Sequence, residues 1–227
     1  MNPKQRAAEA ALNYVRSGMV VGLGTGSTAD CFLQALAAAL RCGSLENVRG
    51  IPTSVRSEQR ARQLGISLCT LGQVCAVDLT IDGADEVAPN LDLIKGLGGA
   101  LLREKIVAQH SRRLIIIADA SKRVSVLGTR CPLPVEVAPF GHECHEEYLR
   151  SLGADVRLRR TPEGSPAMTD NGNYIYDCRF ERIVHPAALE ARLSQRAGVI
   201  CSGLFLGMAE LAIVADDSRV EVIERRQ

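Results

Sequence analysis

Apolar positions in this chain recur with two alternating periods, and their order sets the expected architecture. From about Pro3 to Arg16, Ala7, Ala10, Ala11, Tyr14 and Val15 share one helical face, with Gly18 just past the end. Met19-Val20-Val21-Gly22-Leu23 is then an apolar run of strand length. It is followed by Gly24-Thr25-Gly26-Ser27-Thr28, after which Cys31, Phe32, Ala35, Leu36 and Ala39 return at helical spacing. The order repeats with Val48–Ile51 as strand, Ser54–Leu64 as helix closed by Gly65, and Ile66–Cys69 as strand. Val77–Ile81, a helix from about Gly99 to His110, and Leu114–Ala118 continue it. Strands alternating with helices in this way predict a mostly parallel sheet covered by helices on both faces.

After Leu133-Pro134 the rhythm changes. Strand (Val135–Val137), helix (His142–Leu152), strand (Asp155–Arg159), a turn at Asp170-Asn171-Gly172-Asn173, strand (Tyr174–Arg179), helix (Pro186–Gln195) and strand (Gly198–Ser202) follow one another. This β-α-β-β-α-β order is that of the split βαβ fold. The expected fold class is therefore α/β: a Rossmann-like catalytic domain over residues 1–132 plus 204–227, with an inserted ferredoxin-like α+β domain over residues 133–203. The tail from Leu204 is expected to rejoin the first sheet.

Charge narrows the range of partners. With 27 basic and 26 acidic residues interspersed, the formal net charge is +1, so no bulk field attracts nucleic acid or an anionic membrane. No apolar run reaches the roughly 18 residues that span a bilayer. The start, Met-Asn-Pro-Lys-Gln-Arg, lacks the apolar core of a secretion signal, and a cytoplasmic protein is expected. Eight cysteines form no Cys-x-x-Cys pair and are expected as buried small hydrophobes. His142, Cys144 and His145 fit no metal-ligand spacing and are expected on the surface of a helix.

Three polar clusters fall at expected strand ends, where open α/β sheets bind ligands. In the first, Gly24 to Thr28, backbone N–H groups, hydroxyls and a helix terminus converge as they would on a phosphate, although glycine turns before helices also serve packing. The next strand ends in Pro52-Thr53-Ser54 instead of the acid that a dinucleotide site requires, and no lysine stands where a nucleotide-triphosphate loop needs one. The second, Asp82-Gly83-Ala84-Asp85-Glu86, holds three carboxylates in five residues, and like charges so close raise one another's pKa. It suits the handling of sugar hydroxyls; a magnesium site and a solvated acidic loop are its alternatives.

The third cluster, Lys95-Gly96-Leu97-Gly98-Gly99, offers a lysine and flexible amides to a developing oxyanion. Glu104 stands about a turn into the following helix, either as a base or as an ordinary surface glutamate paired with a basic neighbour. All four histidines (His110, His142, His145, His185) lie outside these clusters. A phosphate anchor, hydroxyl-directed carboxylates, an oxyanion site and a carboxylate base together suit proton abstraction beside a carbonyl, as in aldose–ketose isomerisation.

Five segments in order, Gly24 to Ala29, Asp82 to Glu86, Lys95-Gly96 with Arg103-Glu104-Lys105, Ala118 to Lys122 and Leu133 to Val137, carry a closer likeness. Along nearly its whole length the sequence resembles the ribose-5-phosphate isomerase family, type A. The resemblance implies interconversion of ribose 5-phosphate and ribulose 5-phosphate through a cis-enediolate. Thr25, Gly26, Ser27 and Thr28, helped by Lys4, would hold the phosphate end. Asp82 and Asp85, with Gly83 and Ala84 between them, would bind sugar hydroxyls and assist ring opening. Lys95 and the amides of Gly96, Leu97 and Gly98 would stabilise the enediolate, Glu104 would carry the proton between C1 and C2, and Lys122 would complete the pocket. Leu97 replaces a glycine common in the family, so its side chain is expected to point away with its N–H left available. The resemblance also implies no cofactor, no metal, and a homodimer or homotetramer. An isomerase or deaminase for another sugar phosphate, or a non-catalytic sugar-phosphate sensor, are the alternatives.

Overall fold

Asn2 opens the first helix through a reciprocal capping box with Gln5, with Pro3 at the first helical position. The computed structural model describes residues 2–225. In chain order the elements are α1 (Pro3–Leu12), β1 (Val20–Leu23), α2 (Ser27–Arg41), β2 (Arg49–Pro52), α3 (Val55–Gln63), β3 (Leu79–Asp82), β4 (Glu86–Val87), β5 (Leu93–Ile94), α4 (Leu101–Gln109) and β6 (Leu114–Asp119). They continue as β7 (Leu133–Val137), α5 (Cys144–Ser151), β8 (Asp155–Leu158), β9 (Tyr174–Arg179), α6 (Pro186–Ser194), β10 (Val199–Ser202), β11 (Leu204–Phe205), β12 (Leu211–Ala215) and β13 (Val220–Glu224).

By compactness the chain divides into two units. One comprises the chain up to Ala84, Arg103–Lys122 and the chain from Gly207; the other comprises Asp85–Leu102 and Arg123–Leu206. The first unit is a six-stranded sheet in the order β13-β12-β6-β3-β1-β2, parallel throughout except for β13 against β12. Its central strands read as unbroken apolar runs because both faces are covered. Val21, Leu23, Ile81, Ile115, Ile117 and Ile213 pack against α1 and α2, while Val20 joins Ile51, Val77 and the α4 residue Val107 in a separate cluster. The tail rejoins this sheet as expected, with β12 parallel to β6.

Two expected elements differ. The first helix stops at Leu12, four residues short of Arg16, because Asn13, Tyr14 and Val15 donate three residues back and tighten the chain into turns. Ile66–Cys69 forms no strand. Only Leu68 bridges to Gly50, and at Thr70 the chain turns into a 3₁₀ segment, Leu71–Gln73.

In the second unit β7 to β10 form the sheet order β10-β7-β9-β8, with every neighbouring pair antiparallel, which is the ferredoxin-like arrangement. Leu133, Val135, Val137, Val156, Tyr176 and Cys178 face Leu149 of α5 and Leu193 of α6. On the other side Ile175 and Cys201 cluster with Leu101. This unit is larger than the expected 133–203, since the same core takes in Ala88, Ile94, Leu127 and Leu204, and a three-stranded sheet, β11-β5-β4, belongs to it.

Burial also corrects two expectations about single residues. Cys69, Cys131, Cys178 and Cys201 are buried, but Cys42, Cys75 and Cys144 are exposed and Cys31 lies between; all eight are free thiols. His145 is buried at 4 % exposure, not displayed on the surface, and its Nδ1 has no hydrogen-bond partner among the described residues. Burial first, then the charges of Arg196 and His142, lowers its pKa below the ordinary 6.5. The folded state therefore takes up this proton less readily than the unfolded chain. Its stabilising contribution is complete above about pH 6.5 and is lost as the pH falls towards the lower folded value. Thermal midpoints compared at about pH 7.5 and about pH 5.5 are expected to fall on acidification, with a smaller fall in His145→Gln.

Candidate active site

In the first unit the site grows from the end of β3. Asp82, the last residue of that strand, is buried, and its Oδ1 accepts the N–H of Thr25 at 3.1 Å and of Gly83 at 2.7 Å. A Cβ on Gly24 would lie 2.6 Å from the Asp82 Cα, so glycine is needed for the loop to pass over this carboxylate. Thr25 Oγ1 hydrogen-bonds Thr53 Oγ1 and donates to Ser54 Oγ, both at 2.8 Å, and Ser54 is the N-cap of α3.

Gly26, at φ 111°, begins α2 with no side chain to cap it. The first amides and positive dipole end of this 15-residue helix are thereby available to an anion. Lys4 on α1 joins them, its Nζ donating to Ser27 Oγ at 2.9 Å. The structure thus brings Thr25 to Thr28 and Lys4 together at one helix terminus. Lys122 follows β6 in a single 3₁₀ turn, Ala120–Lys122, and is partly exposed.

Glu104 is carried by α4 and is 4 % exposed. That burial excludes a solvent-exposed glutamate at this position. Ionised carboxylates are costly to bury and accumulate where their protonation is used.

In the second unit the acidic segment continues as Asp85, whose N–H donates to Ile94 O at 2.8 Å and whose Oδ2 accepts the Leu97 N–H at 3.0 Å. The Leu97 side chain does face solvent, but its N–H is engaged by Asp85 and not open as expected. Lys95 is 3 % exposed, its N–H donates to Gly203 O at 2.9 Å, and its Nζ lies 5.4 Å above the Phe205 ring centroid. Gly96 sits at φ 103°, where a Cβ would come within 2.8 Å of the Leu101 Cβ. Gly98 is exposed. The loop therefore follows β5 of the small antiparallel sheet instead of ending a strand of the large parallel one.

Each of the three carboxylates of the acidic cluster accepts at least one main-chain N–H. Glu86 is fully buried, taking the N–H groups of Gly128 (2.6 Å), Arg130 (2.6 Å) and Cys131 (2.9 Å), and so is structural. Among the described residues, no group of three or more His, Cys, Asp or Glu side chains is arranged to hold a metal.

Two features escaped the sequence. The hydroxyl network under Thr25 comes from Thr53 and Ser54, whose place at a strand end was visible as a polar break. Arg159 donates to the carbonyls of Gly96 (3.2 Å) and Leu97 (3.1 Å) from 62 or 63 residues away and has no local signature.

Residues 49–219 match the family Ribose 5-phosphate isomerase A (phosphoriboisomerase A). The chain is 56 % identical over 221 residues to ribose-5-phosphate isomerase A of Gloeobacter violaceus, covering 97 % of this chain and 95 % of that one. With the Roseiflexus castenholzii protein of the same name the identity is 51 %, covering 97 % and 94 %. Among solved structures, a D-ribose-5-phosphate isomerase in complex with phospho-erythronic acid aligns with a TM-score of 0.97 at 39 % identity, covering 99 % of this chain and 100 % of that one. The Plasmodium falciparum ribose 5-phosphate isomerase gives 0.95 at 40 %, covering 99 % and 98 %. With likeness of this extent in both sequence and backbone, the chain belongs to the ribose 5-phosphate isomerase A family, enzymes that interconvert ribose 5-phosphate and ribulose 5-phosphate.

Proposed function

We propose that this isomerase moves its proton with Glu104 and without a metal, and the observation that carries the proposal is the burial of that carboxylate at 4 % exposure. Thr25 to Thr28, with Lys4, hold the phosphate at the α2 terminus. Asp82 and Asp85, with the Gly83 and Ala84 backbone, receive the sugar hydroxyls and help the ring oxygen take the C1 hydroxyl proton as the ring opens. Lys122 completes the pocket.

Glu104 then takes the C2 proton of the open aldose, and the electron pair moves to form the C1–C2 double bond with negative charge on O1. The Lys95 ammonium and the amides of Gly96 and Gly98 stabilise that cis-enediolate, the Leu97 N–H being taken by Asp85. Glu104 returns the proton to C1, and the O2 proton passes to O1 as the ketone forms, so no atom is gained or lost. Phospho-erythronic acid, the ligand of the structural relative, carries a carboxylate where the enediolate carries charge, and we expect it to compete with substrate here. Assembly as a homodimer or homotetramer follows the family resemblance, and eight free thiols suit a reducing, cytoplasmic compartment.

The test is ribose 5-phosphate conversion before and after treatment with a chelator. Unchanged turnover is expected, together with partial solvent-deuterium incorporation at C1 of the product. Activity lost to the chelator and restored by magnesium would instead make Asp82 and Asp85 ligands and overturn the mechanism.

A further inference from the structure

Arg159 stands immediately after β8, far in sequence from any residue assigned above, and its guanidinium is used at every edge. Nε donates to Asp177 Oδ2 at 2.9 Å and Nη2 to Asp177 Oδ1 at 2.5 Å, a fork-to-fork pair with only 18 % and 24 % of the two side chains exposed. This leaves Nη1, which donates to Gly96 O at 3.2 Å and Leu97 O at 3.1 Å. We propose that Arg159, held by Asp177, is a positioning residue that aims the Gly98 N–H at the developing enediolate oxyanion, a refinement that rests on assigning the Lys95–Gly99 loop to that charge.

The geometry follows from the planar trans peptide, in which C=O and N–H point in opposite directions. With Gly96 O turned to the guanidinium, the next N–H, that of Leu97, is turned away from it and meets Asp85 Oδ2 at 3.0 Å. With Leu97 O turned the same way, the N–H of Gly98 is likewise turned away. Gly98 is exposed, and among the described residues its N–H meets no acceptor. Gly96 O also receives the Gly99 N–H at 3.0 Å, which closes the turn and helps fix the Gly96–Leu97 peptide plane. The donor offered to a ligand is therefore the Gly98 amide, since that of Leu97 is taken by Asp85. A cation on the carbonyl side polarises both peptides and strengthens their N–H groups as donors. A lysine at this position would keep the charge but lose the fork that fixes its direction.

A positioning role differs from a structural one in which kinetic constant it moves. In the full-length enzyme, Arg159→Lys is expected to lower kcat by about 10–100-fold, as a slight misplacement of a catalytic donor does, with KM for ribose 5-phosphate within about twofold of the parent. Inhibition by phospho-erythronic acid is expected to weaken by a similar factor and inhibition by inorganic phosphate to stay unchanged. Asp177→Asn, which keeps one acceptor, is expected to show the same pattern more weakly and serves as the deciding variant if Arg159→Lys lowers the thermal midpoint. Full kcat per folded molecule in these variants, while Lys95→Met is strongly impaired, overturns the inference alone. Full kcat in Lys95→Met as well overturns the assignment of the loop on which it rests.

Discussion

Glu104→Gln is expected to lower kcat by about 10²–10⁴-fold, the range that a positioned general base contributes. Glutamine keeps the size and shape of the side chain but has no oxygen able to take a proton from C2 and return it to C1. The helix that carries it is undisturbed, since glutamine and glutamate have similar helix propensity. The groups proposed to bind substrate, from Lys4 and the Thr25–Thr28 loop to Asp82 and Asp85, are untouched, so ribose 5-phosphate is expected to bind with little change. The measurement is loss of deuterium from C2-deuterated ribose 5-phosphate, read beside calorimetric binding. Loss of exchange with retained binding identifies the base; retained exchange moves the proton to another group.

The largest stability effect is expected at Glu86, next in sequence to the proposed ligand contact Asp85. Its two oxygens accept three amides of one loop, with Oε2 taking Gly128 and Oε1 taking both Arg130 and Cys131. Bonds to an ionised acceptor are the stronger kind, and Glu86→Ala leaves three N–H groups facing a void. A loss of about 3–5 kcal/mol is expected, the range seen when one partner of a buried charged contact is removed. Glutamine does not repair it. One of its two terminal atoms is an NH₂ group, so either the Gly128 bond or the Arg130 and Cys131 pair becomes a donor facing a donor. Urea unfolding of the parent, Glu86→Ala and Glu86→Gln gives the comparison, with both variants falling and alanine falling further. Equal midpoints for all three would show that the 128–131 loop is held by other contacts.

These two glutamates show how far the sequence could be read. Burial of Leu114 to Ala118 is written in an unbroken apolar run, and the glycine loop before α2 announces itself by composition, so the parallel sheet and its phosphate-type terminus are local facts. Glu104 is flanked by Arg103 and Lys105, which on their own suggest a solvated surface; its burial depends on what packs over α4 and has no local trace. Glu86 looked like the third member of a repelling trio because its amides lie 42 to 45 residues downstream, beyond any periodicity window. The strands β4, β5 and β11 are two residues each, too short for alternation to register, and with them went the true extent of the second unit.

That extent bears on how such a gene can be rearranged. A module inserted as one stretch, like the expected 133–203, is a cassette that recombination can excise or exchange whole. Here each unit is assembled from separated stretches, and the boundary falls after Ala84 inside the Asp82–Glu86 segment and after Leu102 inside α4. A crossover at residue 133 or 203 would carry the ferredoxin-like strands away from Ala88, Ile94, Leu127 and Leu204, which share their core. Shuffling between homologues is therefore expected to break one unit or the other wherever a single internal span is exchanged, since even Asp85–Leu206 carries β6 out of the first unit's sheet, and the lineage to have inherited both units as one indivisible text.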